Sequence, residues 1–529
     1  MIESRSVKRS IENLAPVLFF VALILLGCLV YKSYGIPWDE SVQTQIGALN
    51  YRYIFKGDSA LLFFPDRYYG AMFELPILWI TSRFSIPRHL IIFIVFVFGL
   101  IPFYLSGRRL FHNSWLALLA TAILAISPRI FADAFYNSKD IPFMVASIAA
   151  VWTLVVLGDT FRQRRHWLIV ASITFLHAAT CAVLIATRVA GIMIVPLTFI
   201  LLILNTIETP AFWKLALTTG FVYLALTVGL SILFWPVLWQ NPWTQFIHAF
   251  GVMSQYPFGR GVLYAGQYFP AENLPWLYLP VWIGITTPLI VLAGILPGII
   301  DWIKSIFSVF RWKEKRQALK SPASEIIPWL VVAGWLAIPV AAIYIFHSVL
   351  YDGWRQMFFI YPAVVLISVR GLVVLYHLIE RLRFNLIGMR IIAGLILLAG
   401  LVEPVWFMVR YHPFENVYFN ALAGTPATLR QRFELDYWGL SYKQGIDYIL
   451  ARDPGKNIKI FVSDPPGQDY INAGLSSNNK SRLISVSDPS DANYFVSVFR
   501  WHPGDYPYTD EFNSINVRGT KIMVVYLLR

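Results

Sequence analysis

Apolar residues in this chain come in runs rather than in alternating stripes, and the runs have membrane length. A helix needs about 20 predominantly apolar residues to cross the hydrocarbon. Scanning for that length predicts about eleven spans, at 14–34, 89–107, 114–128, 142–158, 167–186, 189–205, 215–235, 276–300, 326–347, 354–374 and 387–409. Basic residues gather in the gaps: Arg5, Lys8 and Arg9; Arg108 and Arg109; Arg162, Arg164 and Arg165; Lys304 through Lys320; Arg381 and Arg383. With the amino terminus inside, each cluster falls on the cytoplasmic side, where Lys and Arg are retained, and an odd number of spans leaves the carboxyl terminus outside. The first run has a basic leader but no small-x-small cleavage site, so it reads as a retained helix rather than a signal peptide.

That topology places four segments on the outer face: 35–88, 129–141, 236–275 and 348–353. The first and third are long and rich in aromatic residues and Pro. Amphipathic stretches such as Trp243 to Met253 suit helices lying in the interface, and 71–84 is a further candidate of that kind. After Arg410 polar and turn-forming residues become common. A helical pattern from Leu440 to Leu450 is followed by β-branched runs at Ile458–Val462, Leu483–Val486, Tyr494–Phe499 and Lys521–Leu527. The expected organisation is an α-helical polytopic membrane domain over 1–409 and a small α/β domain over 410–529 on the outer face.

Composition narrows the class. Of 529 residues, 57% are hydrophobic and only 14% charged, which excludes an ordinary soluble protein. A formal charge of +13 would suggest a nucleic-acid partner in a soluble chain, but here the basic residues orient helices, and no nucleic acid is expected. Cys28 and Cys181 both lie inside apolar runs, so neither a disulfide framework nor a cysteine metal site is supported.

Candidate chemistry sits in the outer segments. Trp38-Asp39-Glu40 puts an acidic pair just beyond the first apolar run, clear of the hydrocarbon. A general base stays ionised until it takes a proton from an attacking hydroxyl, and one of these carboxylates suffices. The plainer reading is an acid at the N-terminus of a nearby helix. Between two spans, Ser127 to Asp140 crowds together Arg129, Asp133, Asn137, Lys139 and Asp140. Asp140, ahead of Pro142, stands at a natural N-cap position; its alternative role is to bind an acceptor or orient the base. Between the ninth and tenth spans lie His347, Tyr351, Asp352, Gly353, Trp354, Arg355 and Gln356. An Arg at a helix start opposes the dipole, so Arg355 needs an anion. A phosphate would match its planar fork of donors; a salt bridge to Asp352 or contact with lipid headgroups would also serve. Arg129, Lys139, Arg188 and Arg260 are further outer cations that suit a phosphate, and Arg188 interrupts an otherwise apolar stretch.

No HExxH, CxxC, Walker, GxSxG or GxGxxG signature is present. The stretches Ser127-Pro-Arg-Ile-Phe-Ala-Asp-Ala-Phe-Tyr-Asn-Ser-Lys-Asp140, Tyr351-Asp-Gly-Trp-Arg-Gln356 and Phe433-Glu-Leu-Asp-Tyr-Trp-Gly-Leu-Ser-Tyr442 resemble bacterial members of the GT-C glycosyltransferases. The branch they look like is the dolichyl-phosphate-mannose protein mannosyltransferase-like family 39, itself similar to the lipid A aminoarabinose transferases. The resemblance implies Asp39 as base, Glu40 as its partner and Asp140 as the second acid at the acceptor site, with Arg355 and His347 on the donor phosphate. It also implies a polyprenyl-phosphate sugar donor, inversion at the anomeric carbon, no obligatory metal or other cofactor, and a bacterial inner membrane location with a periplasmic active site. The acceptor, whether protein, lipid or glycan, does not follow from such kinship. Two rival readings are a transporter or flippase of lipid-linked sugars, which calls for ionisable groups near the bilayer midplane, and a membrane-anchored binding module working through residues 410–529.

Overall fold

A computed structural model describes residues 2–163, 165–208, 210–312, 323–381 and 386–529. Of the basic clusters, Arg164, Arg383 and the 313–320 part of the Lys304–Lys320 run lie outside the described residues. The helices in chain order are α1 (Ile2–Val30), α2 (Glu40–Lys56), α3 (Ala71–Phe84), α4 (Arg88–Phe111), α5 (Ser114–Ala125), α6 (Pro128–Tyr136), α7 (Asp140–Arg162), α8 (Trp167–Thr187), α9 (Ile194–Glu208), α10 (Trp213–Phe234), α11 (Pro242–Ser254), α12 (Tyr278–Thr286), α13 (Leu289–Trp312), α14 (Ala323–Phe346), α15 (Tyr361–Arg381), α16 (Leu386–Tyr411), the short α17 (Leu429–Arg432) and α18 (Tyr442–Arg452). Among the described residues, nine helices are long and apolar enough to cross a membrane, ten if the bent α5–α6 pair counts as one span. Leu14, Leu18 and Leu25 on α1 and Ile391, Leu395 and Val402 on α16 are exposed, an apolar surface that only hydrocarbon satisfies. The protein is a multi-pass membrane protein with a carboxyl-terminal sheet domain.

Two proline breaks shape the helices, one at the end of the expected span 114–128 and one inside the expected span 276–300. Ser127 and Thr287 each precede a proline and are extended (ψ 113 and 138), because the proline ring bars the residue before it from helical geometry. At Ser127-Pro128 the chain turns by 66° into α6, and at Thr287-Pro288 the expected span 276–300 divides into α12 and α13. The first break matters most, since it turns α6 and its Arg129 and Asp133 inward, where both are buried.

The bundle has two chemically different ends. At one, Arg109 and Arg162 pair with Asp159 at 2.7 and 2.5 Å, and Arg370 pairs with Asp301 at 2.7 Å. At the other, the carboxyl end of α1 and the amino ends of α4, α7 and α15 come together with the segment 411–440. That segment packs through Phe414, Tyr418, Phe433 and Trp438 into the same core as the helices rather than into the sheet. Beyond it lie β3 (Ile458–Val462), β4 (Leu483–Ser485), β5 (Tyr494–Ser497), β6 (Glu511–Val517) and β7 (Thr520–Leu527), in the spatial order β4-β3-β5-β7-β6. Strands β4, β3 and β5 run parallel, and β7 is antiparallel to both β5 and β6. Alternation places Tyr494, Val496, Met523 and Val525 under α18, while Phe495, Val524 and Tyr526 face the opposite side. The unanticipated elements are β6 and a hairpin, β1 (Gly261–Tyr264) with β2 (Gln267–Pro270), whose two-residue turn Ala265-Gly266 has positive φ at both positions.

Helices α13 and α15 approach closely through Gly294, Gly298, Ser368 and Gly371, and a Cβ at Gly371 would collide with the Gly294 carbonyl. We expect Gly371→Leu to destabilise the helical body by about 1–3 kcal/mol or more, read as a lower Tm of the detergent-purified protein. Gly394→Leu, where a Cβ meets nothing, should leave Tm unchanged.

Candidate functional site

Asp39 precedes α2 as its N-cap residue but makes no capping bond; its carboxylate turns to Lys139 Nζ at 2.6 Å and to Arg355 at 3.5 Å. The position is held from behind, where the Trp38 amide donates to the Trp438 carbonyl at 3.0 Å. Asp140 is not the N-cap its sequence position suggested: it is the first residue of α7, with Lys139 at the N-cap. Asn137 Oδ1 accepts from the backbone amides of Lys139 and Asp140 at 3.2 and 2.9 Å, so the start of α7 is already satisfied. The buried Asp140 carboxylate instead pairs with Arg188 and with Arg355, the latter at 3.1 Å, and accepts from Asn137 Nδ2 at 2.9 Å. Arg355 is 2% exposed and is also paired with Asp352 at 3.2 Å; its guanidinium stacks against Tyr351 and Trp438. The structure thus brings together Asp39, Lys139, Asp140, Arg188 and Arg355 from connections far apart in the chain.

Three expected residues go elsewhere. Glu40, one position into α2, points away from Asp39 and pairs with His89 at 3.0 Å; burial raises its carboxyl, but His89 and Arg88 outweigh this and hold it below the usual range. Arg129 is buried between the rings of Trp282 and Phe419 and donates Nε to the Tyr418 carbonyl at 3.0 Å, so it braces α6 against 411–440 rather than joining the ion pairs. His347 ends α14 in a left-handed conformation (φ 48), exposed, with its carbonyl accepting from Gln255. Its neighbours Phe346 and Ser348 line the adjacent groove, but His347 does not.

Four more residues complete the arrangement: Asn137, named above without a role of its own, and Tyr69, Arg500 and Glu434, which were not singled out. Asn137 Nδ2 also donates to Asp133 Oδ1 at 2.8 Å, tying the two acids of this loop together. Tyr69 offers its ring to Lys139 Nζ at 4.8 Å. Arg500, on the loop after β5, reaches Asp352 at 2.9 Å and lies over Trp38 at 4.4 Å. Glu434 is buried close by. Asp352 (φ 54), Phe499 (φ 60) and Trp501 (φ 55) hold left-handed backbone without being glycine, each at a cost of about 1–3 kcal/mol.

Arg188, paired with Asp140, is the one member of the ion-paired set that also lines an apolar groove of about 950 Å³, its open mouth included, walled by Tyr69, Met193, Phe250, Phe346 and Phe359 among others. Burial raises the Asp39 carboxyl, but Lys139, Arg355 and Arg500 outweigh it and hold it at about 2, against an ordinary 3.8. A depressed folded value means that its ion pairs stabilise fully above about pH 4 and are lost as pH falls through about 2. For Glu434, burial and then the Asp352 carboxylate push the group up from 4.5 to about 8, with Arg500 opposing.

No family model matches this chain, and no curated protein does. Among solved structures it is similar to ArnT from Cupriavidus metallidurans bound to undecaprenyl phosphate (16% identity, TM-score 0.45, covering 97% of this chain and 98% of that one). It is also similar to the archaeal oligosaccharyltransferase AglB from Archaeoglobus fulgidus in complex with an inhibitory peptide and a dolichol-phosphate (11% identity, TM-score 0.46, covering 91% and 69%), and to the Archaeoglobus fulgidus oligosaccharyltransferase in its apo form (13% identity, TM-score 0.47, covering 92% and 65%). The chain spans about two thirds of the length of these archaeal proteins.

A carboxyl raised on folding penalises the folded state progressively between its unfolded and folded values. Glu434→Gln is therefore expected to raise Tm, with a gain that is absent below about pH 4.5, grows up to about pH 8 and is level above it. Thermal unfolding across that range checks this; a gain independent of pH would show that Glu434 carries no such penalty.

Proposed function

We propose that this protein is an inverting glycosyltransferase that moves a sugar from a polyprenyl-phosphate donor to an acceptor on the periplasmic face of a bacterial inner membrane. The observation that carries the reading is a buried set of acids and cations beside an apolar groove, with Arg188 belonging to both. Apolar walls suit an isoprenoid chain. Arg188, Lys139 and Arg355 suit the phosphate at its end, since guanidinium and ammonium donors match phosphate oxygens.

Asp39 is the general base. Clamped by Lys139 and held at about 2, it is a weak base before the donor arrives. A donor phosphate drawing Lys139 and Arg355 toward itself weakens that clamp, and the basicity of Asp39 rises as the reacting groups assemble. The acceptor oxygen then attacks the anomeric carbon while its proton passes to Asp39. The bond from that carbon to the phosphate oxygen breaks from the opposite face, and polyprenyl phosphate leaves with its negative charge met by the same cations. Asp140 holds Arg188 and Arg355 in place for this. Glu40 acts at one remove, fixing α2 against α4 through His89. The acceptor is a protein, lipid or glycan hydroxyl or similar nucleophile.

Asp39→Asn is expected to lower transfer at least about 100-fold while polyprenyl-phosphate binding persists, since a general base contributes roughly 10²–10⁴-fold. The assay follows radiolabelled lipid-linked sugar in membranes containing the protein. Label on a new acceptor marks a transferase; label that only changes leaflet marks a flippase and removes the present reading. Retained turnover in Asp39→Asn would take this residue out of the base role.

A further inference from the structure

The groups joined by ion pairs at the site are three carboxylates, Asp39, Asp140 and Asp352, and four cations, Lys139, Arg188, Arg355 and Arg500. Arg129, bonded to the Tyr418 carbonyl, and Asp133, held by Asn137, make no ion pair with this set among the described residues. Without Arg500 the joined set would be neutral, and Asp352 would have Arg355 as its sole ion-pair partner. Arg500 is also the one member supplied by the sheet domain. Its side chain is nearly fully buried, donates NH2 to Asp352 and NH1 to the Tyr437 carbonyl, and stacks on the rings of Trp38 and Trp501. Both sides of the Arg500–Asp352 contact rest on unfavourable backbone: Phe499 and Trp501 flank Arg500 at positive φ, and Asp352 has positive φ itself. Strain at three neighbouring positions persists only where the surroundings over-determine it, and it clusters where a side chain must be aimed.

We propose that Arg500 is a positioning residue of the donor site: by holding Asp352 it leaves Arg355 available to the donor phosphate and gives the ion-paired set the one positive charge in excess that an anion needs. This rests on the polyprenyl-phosphate reading above. It makes the sheet domain a part of the donor site, because the excess charge arrives only when the loop after β5 is docked.

The test uses full-length protein in lipid nanodiscs, titrated with a polyprenyl monophosphate carrying no sugar, with donor KM and kcat measured alongside. Arg500→Gln should weaken lipid-phosphate binding roughly tenfold or more and raise KM more than it lowers kcat. Arg500→Lys, which keeps the charge but loses the fork, should fall between the two. The double variant Arg500→Gln/Asp352→Asn restores the excess charge and should return binding to within about threefold of wild type. A purely architectural Arg500 instead lowers the Tm of Arg500→Gln and leaves the lipid-phosphate affinity of the folded variant unchanged. Wild-type binding in Arg500→Gln, or a folded double variant no better than the single one, overturns the inference while the donor reading stands. Should Arg500→Gln fail to fold, Arg500→Lys and the double variant decide alone. Absence of lipid-phosphate binding by the wild type overturns the donor reading and this inference with it.

Discussion

A single buried guanidinium organises this molecule. Arg355 meets Asp39 from the first connection, Asp140 from the start of α7 and Asp352 from its own loop, and it is almost wholly withdrawn from solvent. A charge in that position has to be met by others, and each carboxylate that meets it brings its own segment to the same point. Networks of this kind add little to stability over well-packed apolar residues, yet removing one member costs about 3–5 kcal/mol because the others are left unmatched. Their consequence is geometric: α2, α7, the α8–α9 junction and α15 cannot drift apart without exposing an unpaired buried charge.

Polar side chains other than the ionic ones serve this centre by taking over the routine work of helix ends. Asn137 caps α7, so Asp140 is free to face the cations. Asp39 stands at the end of α2 but contributes no cap. Asp39 at the N-cap of α2 and Asp140 at the first position of α7 are both left for ion pairing. The groove beside Arg188 contributes the opposite character, an apolar wall next to a buried charged cluster.

Much of this was readable from the residues. Membrane-length runs locate most of the helices, and the polar segments between them already contain Asp39, Lys139, Asp140, Arg188 and Arg355. The break at Thr287-Pro288 was written in the proline, but hydropathy alone passes over it because both flanks remain apolar, whereas the apolar run ending at 128 already stops at Ser127-Pro128. Arg500 carried no local signal: it follows an ordinary strand, and the left-handed residues around it are Phe and Trp, where a glycine would have marked a sharp turn. Glu40 shows the limit of adjacency, since neighbouring positions at a helix start face different partners. His347 was placed by its nearness to Arg355 in sequence, but the turn that ends α14 leaves it exposed.

The first span is fastened by the last part of the chain. Tyr34 donates to Glu415 at 3.1 Å, Gln444 donates to the Ser33 carbonyl at 2.8 Å, the Trp38 amide donates to Trp438, and Gly35 packs against the backbone of Leu440. During biosynthesis the residues around Asp39 therefore emerge from the ribosome some 400 positions before the partners that seat them. A nascent chain carries all its transmembrane helices while this loop is still unanchored. The loop around Asp39 is therefore seated only once the segment 411–444 has been made, so a product terminated ahead of that segment lacks every one of these anchors.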